Sequence, residues 1–150
     1  MQPSEVRDRV LHDHASLRAS VETVDSLARR VIEGGTESIG ELRAAAAALL
    51  EALQTHMAWE DRHLAVALRE ADAWGPEREA RLASDHREQR QILTHVLAAL
   101  TDPDRPVRVQ ARVLRDWASL LREDMREEER ELLDAQVLRD DVVGIDVEAG

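Results

Sequence analysis

Two kinds of metal-binding side chain interrupt apolar stripes in this chain. His14, His56 and His86 each sit where a helix would turn an apolar residue inward, and His63 falls on the inward side of the segment that carries His56. Three carboxylates share that placement. Glu60 follows His56 by one helical turn, so both side chains can reach one point, and Asp124 and Glu128 repeat the spacing further along. Burying unpaired carboxylates is costly or forces them to take up protons. Arg18 and Arg90, one turn beyond His14 and His86, could pair with a carboxylate, so a buried charge network is the competing explanation. That network leaves the three inward histidines without a purpose. Cations would use both residue types at once, and imidazole with carboxylate oxygen suits iron, manganese or zinc. Two ions bridged by Glu60 and Glu128 would need about this many ligands.

Four helices must position these groups. Gly34-Gly35, Gly75-Pro76 and the Asp- and Pro-rich turn from Thr101 to Pro106 divide the chain. The expected helices run from about Ser4 to Ile32, Ser38 to Ala73, Pro76 to Leu100 and Pro106 to Val137, with Ser38 and Glu41 at capping-box spacing. Steps of three and four mark one inward face per helix. The first stripe runs Val10, His14, Leu17, Val21, Val24 and Ala28. The second runs from Leu42 through Leu53, His56 and Glu60 to His63 and Ala67. The third carries Leu82, His86, Gln89, Leu93 and Val96, and the fourth Trp117, Leu121, Asp124, Glu128 and Ala135. Short connections make neighbours antiparallel. The expected fold is all-α, an antiparallel up-down-up-down four-helix bundle over residues 1–137, with 138–150 an acidic tail expected to fray. Counted from the breaks, the six central groups His14, His56, Glu60, His86, Asp124 and Glu128 fall within about one turn of a common level. His12 and His95 point away and are assigned to the surface. Trp59, Trp74 and Trp117 are assigned to packing.

A pseudo-repeat runs through the pattern. Asp13-His14 is echoed by Asp85-His86, and His56-Met57-Ala58-Trp59-Glu60 by Asp124-Met125-Arg126-Glu127-Glu128. Each helix pair offers one His and then an x-x-x-Glu pair, which implies approximate twofold symmetry around the site. The run Glu127-Glu128-Glu129 reads otherwise as a solvated face, with only Glu128 on the inward stripe.

His, then HxxxE, then His, then a near-HxxxE, one element per helix, resembles the hemerythrin-like (HHE cation-binding) family over nearly the whole chain. The resemblance implies a non-haem di-iron site in a four-helix bundle, with ligands at His14, His56, Glu60, His86 and Glu128 and the two glutamates bridging. Asp124 stands where the family's second HxxxE has its His; it can ligate iron but is shorter. The family's oxygen carriers have HxxxH in the third helix, whereas Arg90 stands one turn after His86, so a more oxidative or peroxide-directed chemistry is expected. His63 forms Glu-x-x-His with Glu60, as in ferritin-type proteins, but the matching helix-four position holds Glu131 and the first and third helices offer His instead of Glu. His63 is retained as an extra ligand or a partner of Glu131. The expected function is iron binding in oxygen, peroxide or nitric oxide handling or sensing. The alternatives are an iron-binding, storage-type protein without turnover and a metal-free helical interaction module.

Composition narrows the rest. A net charge of −11, with all 20 basic residues Arg, argues against nucleic acid or an anionic membrane as partner. Cysteine is absent, which removes disulfides, thiol catalysis and thiolate ligands. Phe and Tyr are absent too, and the Leu-, Ala- and Val-rich core favours helix over sheet. No basic region followed by an apolar run opens the chain, and no apolar stretch approaches about 18 residues, so a cytoplasmic location is expected. No nucleotide loop, Ser nucleophile with a base, or basic DNA-reading helix is found.

Overall fold

The computed structural model describes residues 1–141. Four long helices account for most of them: α1 (Pro3–Ile32), α2 (Ile39–Ala71), α3 (Gly75–Thr101) and α4 (Val107–Glu131), with a 3-10 turn at Thr36–Ser38 and no strand among the described residues. Helix α1 packs along α2 and α4, and α2 along α3, while α3 and α4 touch far less than these neighbouring pairs. No described helix is long and apolar enough to cross a membrane.

Two apolar clusters build the core. The larger joins residues of all four helices, among them Leu17, Val21, Leu49, Leu53, Met57, Leu93, Trp117, Leu121 and Met125. The smaller holds Val6, Val10, Leu64, Leu68 and Leu82 with Leu132, Leu133 and Leu138. Along every helix the polar positions His14, Glu60, His86 and Glu128 fall between residues of one cluster and residues of the other. The helices thus carry a polar layer clamped between two apolar ones.

Helix boundaries depart from expectation at three places. Ser38 sits at the start of α2 in a helical conformation and makes no capping hydrogen bond, because the preceding 3-10 turn already leads into the helix. Helix α2 ends at Ala71, two residues early, where Asp72 turns extended and accepts a bond from the Trp74 amide. Helix α4 ends at Glu131 instead of Val137. Leaving the helix there lets Leu132, Leu133 and Leu138 fold under the bundle and close the smaller cluster, with Asp134 capping the turn through the Gln136 amide. Ala135, expected on the inward stripe, is therefore exposed. The chain stays against the bundle to its last described residues: Leu138 is buried, and Asp140 accepts bonds from the Ser4 amide and hydroxyl at 3.0 and 2.6 Å. Residues 142–150, the rest of the expected tail, lie outside the described residues.

Three further stripe positions rotate off the core. On α2 the buried face continues from Glu60 to Leu64 and Leu68, so His63 and Ala67 flank it. On α4 it passes through Leu121 and Met125, and Asp124 flanks it.

Glycine matters at both ends of α2. Gly34 has φ 113°, a conformation that side chains rarely adopt. A Cβ on Gly75 would run into the carbonyl groups of Leu68 and Arg69, whereas one on Gly40, in the first turn of α2, would meet nothing. Gly75→Ala should cost about 1–3 kcal/mol through overpacking, and Gly40→Ala should gain up to about 1 kcal/mol of helix propensity. Urea unfolding of the two variants beside the parent checks the contrast; equal effects would mean the α2–α3 turn yields readily.

Candidate metal centre

In the polar layer each imidazole is held at two sides. Its Nδ1 meets an outer carboxylate: His14 with Glu129 Oε2 at 2.7 Å, His86 with Asp61 Oδ1 at 2.6 Å, and His56 with Asp13 Oδ2 at 3.3 Å. Its Nε2 points to an inner carboxylate: His56 at 2.8 Å and His86 at 3.4 Å from Glu60 Oε1, and His14 at 3.2 Å from Glu128 Oε1. His14, Glu60 and His86 are each 1% exposed and His56 6%. The rings of His14 and His56 stand 5.1 Å apart.

This arrangement has a chemical direction. An ionised carboxylate only accepts, so each Nδ1 is the donor, which assigns the proton of a neutral ring to Nδ1 and leaves Nε2 as a lone pair facing another acceptor. Acceptor against acceptor in a dry interior is stable only with a proton or a cation between them. The hydrogen-bond pattern carries the mark of that mismatch: His56 Nε2, Glu60 Oε2 and Glu128 Oε1 are buried with no hydrogen-bond partner. One ligand atom from each of His14, His56, Glu60 and Glu128 can be chosen so that all lie within 4.8 Å of one another. These four, with Asp124 and Gln89, line a cavity of about 20 Å3, which is room for roughly one water-sized occupant. The donor set of imidazole nitrogen and carboxylate oxygen therefore fits a divalent transition-metal ion.

Proton affinities follow the same geometry. Burial and the charge of Glu60 push Glu128 well above the ordinary carboxylate range. Burial acts in the same sense on Glu60, but the close approach of Glu128, His56 and His86 outweighs it and holds Glu60 far below that range. The proton affinities of the adjacent pair are thus pushed apart, as those of two like charges in one dry site must be. Burial opposes charge on all three histidines. It wins at His14, which is lowered, whereas Glu60 with Asp13 or Asp61 raises His56 and His86.

An outer ring completes the site. Arg18 grips both oxygens of Glu129, at 2.8 and 2.9 Å, and Arg90 donates to Asp61 at 2.6 Å. These contacts lower Glu129 and Asp61 despite some burial, so both stay ionised and able to hold His14 and His86. Such outer carboxylates fix ring orientation and increase the basicity of the inward nitrogen. Sequence reasoning missed this role for Asp13, Asp61 and Glu129. The available signal was an acidic residue directly after each inward glutamate, in Glu60-Asp61 and Glu128-Glu129.

The remaining expected residues lie apart from the cluster. Asp124 lines the central cavity but also a larger cleft of about 260 Å3 between α3 and α4, beside Asp85, Glu88 and Glu127. Its contact in the layer is a long 3.4 Å approach of Gln89 Nε2. Burial and the surrounding carboxylates push Asp124 up to about 6. His63 stacks on Trp59 with ring centres 4.6 Å apart, and the Arg9 guanidinium lies 5.0 Å from the Trp59 ring. His63 therefore makes an aromatic stack at the edge of the smaller apolar cluster, away from the inner carboxylates. Glu131, its other expected partner, pairs with Arg81. His12 and His95 are exposed, as expected.

A family model described as the hemerythrin HHE cation binding domain matches residues 6–135. Neither the curated proteins nor the solved structures contain a match.

The proton affinities predict how the metal-free protein responds to pH. A carboxyl raised on folding keeps a proton that the unfolded chain releases, so its contribution is complete below the unfolded value and is lost as pH rises through the folded one. For Asp124 that window runs from the ordinary 3.8 to about 6. Asp124→Asn should be more stable than the parent above pH ~7 by about 1 kcal/mol, after allowance for solvent screening, with no difference near pH ~4. Glu128→Gln should likewise flatten the parent's loss of stability toward alkaline pH. Chemical denaturation of chelator-treated protein across this range checks both. A parent that grows more stable as pH rises would contradict them.

Proposed function

Because this chain belongs to the hemerythrin family of HHE cation-binding domains, we propose that its polar layer would hold a non-haem, two-iron centre, with Glu60 and Glu128 among its ligands, that handles or senses oxygen, peroxide or nitric oxide. The observation that carries this reading is the set of buried, unpartnered atoms His56 Nε2, Glu60 Oε2 and Glu128 Oε1 in one polar layer between two apolar clusters. The ligands we assign are His14, His56, Glu60, His86 and Glu128, with Asp124 an additional oxygen donor. Iron supplies the centre with reversible electron transfer and affinity for small oxygen- and nitrogen-containing molecules.

The chain's own residues do the rest. Glu129, Asp13 and Asp61 hold the Nδ1 protons and so present Nε2 lone pairs to the centre. The raised proton affinities of Glu128, His56 and His86 mean that a cation would compete with protons at these groups. Leu53, Leu121 and Met125 line the cavity on the side of the larger core and exclude water. An antiparallel, up-down-up-down course of α1 to α4 agrees with this assignment, since residues 33–38, 72–74 and 102–106 are the only connections between the helices.

Metal analysis of the chain purified from iron-supplemented cells, beside the double variant His56→Ala, Glu60→Ala, tests the reading. About two irons per chain are expected in the parent and a large loss in the variant. The iron-loaded parent should also change its optical spectrum on exposure to oxygen, peroxide or nitric oxide. A folded parent that takes up no iron would overturn the proposal. Iron that binds while the spectrum ignores all three reactants would leave storage-type binding instead.

A further inference from the structure

The outer ring follows the pseudo-repeat closely. Helix α1 carries Arg9, Asp13, His14 and Arg18, and α3 carries Arg81, Asp85, His86 and Arg90 at identical spacing. Arg9 approaches Asp13 at 3.1 Å and Arg81 approaches Asp85 at 3.8 Å. Glu129 joins His14 to Arg18 from α4, and Asp61 joins His86 to Arg90 from α2. Each linking carboxylate directly follows an inward glutamate. One correspondence fails. Asp13 reaches across to His56, but its counterpart Asp85 faces the α4 position where Asp124 replaces a histidine. Asp85 thus has no imidazole to hold, and two carboxylates share a cleft.

The two sides of the centre therefore differ in donors, restraint and access. One side offers His14 and His56 with Glu60 and Glu128, closely grouped and buried. The other offers a single imidazole, His86, and Asp124, which no arginine or carboxylate orients and which opens on the α3–α4 cleft. Glu60, on a side chain 1% exposed, meets His86 Nε2 through Oε1 at 3.4 Å and lines the cavity that Asp124 also lines, so the weaker side has a buried donor of its own. Borderline metals favour imidazole over a loosely held carboxylate, and oriented ligands bind more tightly than free ones.

We propose that the centre binds its two divalent cations unequally, tightly on the His14–His56 side and weakly and exchangeably on the His86–Asp124 side, and that Asp85 is a positioning residue placed to orient an imidazole at position 124. The inference rests on the metal-centre reading above. Calorimetric titration of Zn2+ into the metal-free full chain tests it, with the parent, Asp124→His, Asp124→Asn and the double variant Asp124→His, Asp85→Asn compared. The parent should show two steps at least tenfold apart in affinity, or a single tight step. Asp124→His should bring the second step to within a few-fold of the first, and adding Asp85→Asn should weaken it again by about tenfold. Asp124→Asn, which keeps the side-chain shape, should abolish the weak step and spare the tight one. Circular dichroism establishes that each variant is folded. Two equal tight steps in the parent, or an Asp124→Asn variant that still binds two ions as the parent does, would overturn the inequality. A folded Asp124→His variant with no gain, or a gain indifferent to Asp85→Asn, would overturn the role of Asp85. Absence of any Zn2+ binding by the folded parent would instead overturn the metal-centre reading itself.

Discussion

Two carboxylates, Glu60 and Glu128, occupy one dry space in the middle of the helices, and most of the molecule answers to that fact. Like charges so placed cannot both persist in a medium of low dielectric. The chain pushes their proton affinities apart, Glu60 downward and Glu128 upward. It surrounds Glu60 with the Nε2 atoms of His56 and His86 and sets His14 against Glu128. The apolar clusters above and below provide the burial that holds the helices together while the layer between them works against it. Natural chains tolerate such a conflict where the groups serve a purpose other than stability.

The charges fall into concentric order. Inner glutamates face the imidazoles, the imidazoles lean on outer carboxylates, and the carboxylates of Asp61 and Glu129 lean on Arg90 and Arg18, which reach the surface. Each ring fixes the one inside it. Arginine suits the outermost place because its fork can bind both oxygens of a carboxylate, as Arg18 does with Glu129. A separate clamp lies further along α1 and α4: buried Asp25 takes Arg29 at 2.9 Å and Arg122 at 3.0 Å, which ties the two helices away from the centre.

Much of the architecture was legible in the sequence because the relevant signals are periodic. Gly and Pro mark the breaks, and a polar residue on an apolar stripe stands out, as His14, His56, Glu60 and His86 do. What escaped lies one residue away from a stripe. Asp13, Asp61 and Glu129 occupy positions where exposed charges are the rule, and only the contact across helices distinguishes them from surface acids. His63 and Asp124 differ in the other direction, expected on the buried stripe but flanking it. Steps of three and four are both compatible with a helix, so the stripe could pass through His63 or Leu64, and through Asp124 or Met125; packing chose the apolar residue each time. The early end of α4 has the same origin. A helix through Val137 was locally plausible, but Leu133 and Leu138 gain more burial by turning beneath the bundle.

The contacts of α1 with the far end of the described chain bear on how the protein is made. Ser4 meets Asp140, Arg7 meets the carbonyl of Leu133, and His14 meets Glu129, partners separated by 136, 126 and 115 residues. During synthesis from the N-terminus, α1 and α2 emerge long before these partners exist. Until α4 leaves the ribosome, His14 has neither of its carboxylates, and the α1 face meant for α4 stays bare. The nascent chain therefore presents an unfinished half-centre with apolar surface beside it, and the interval before the last helix arrives is when it most needs shielding from premature association or stray cations.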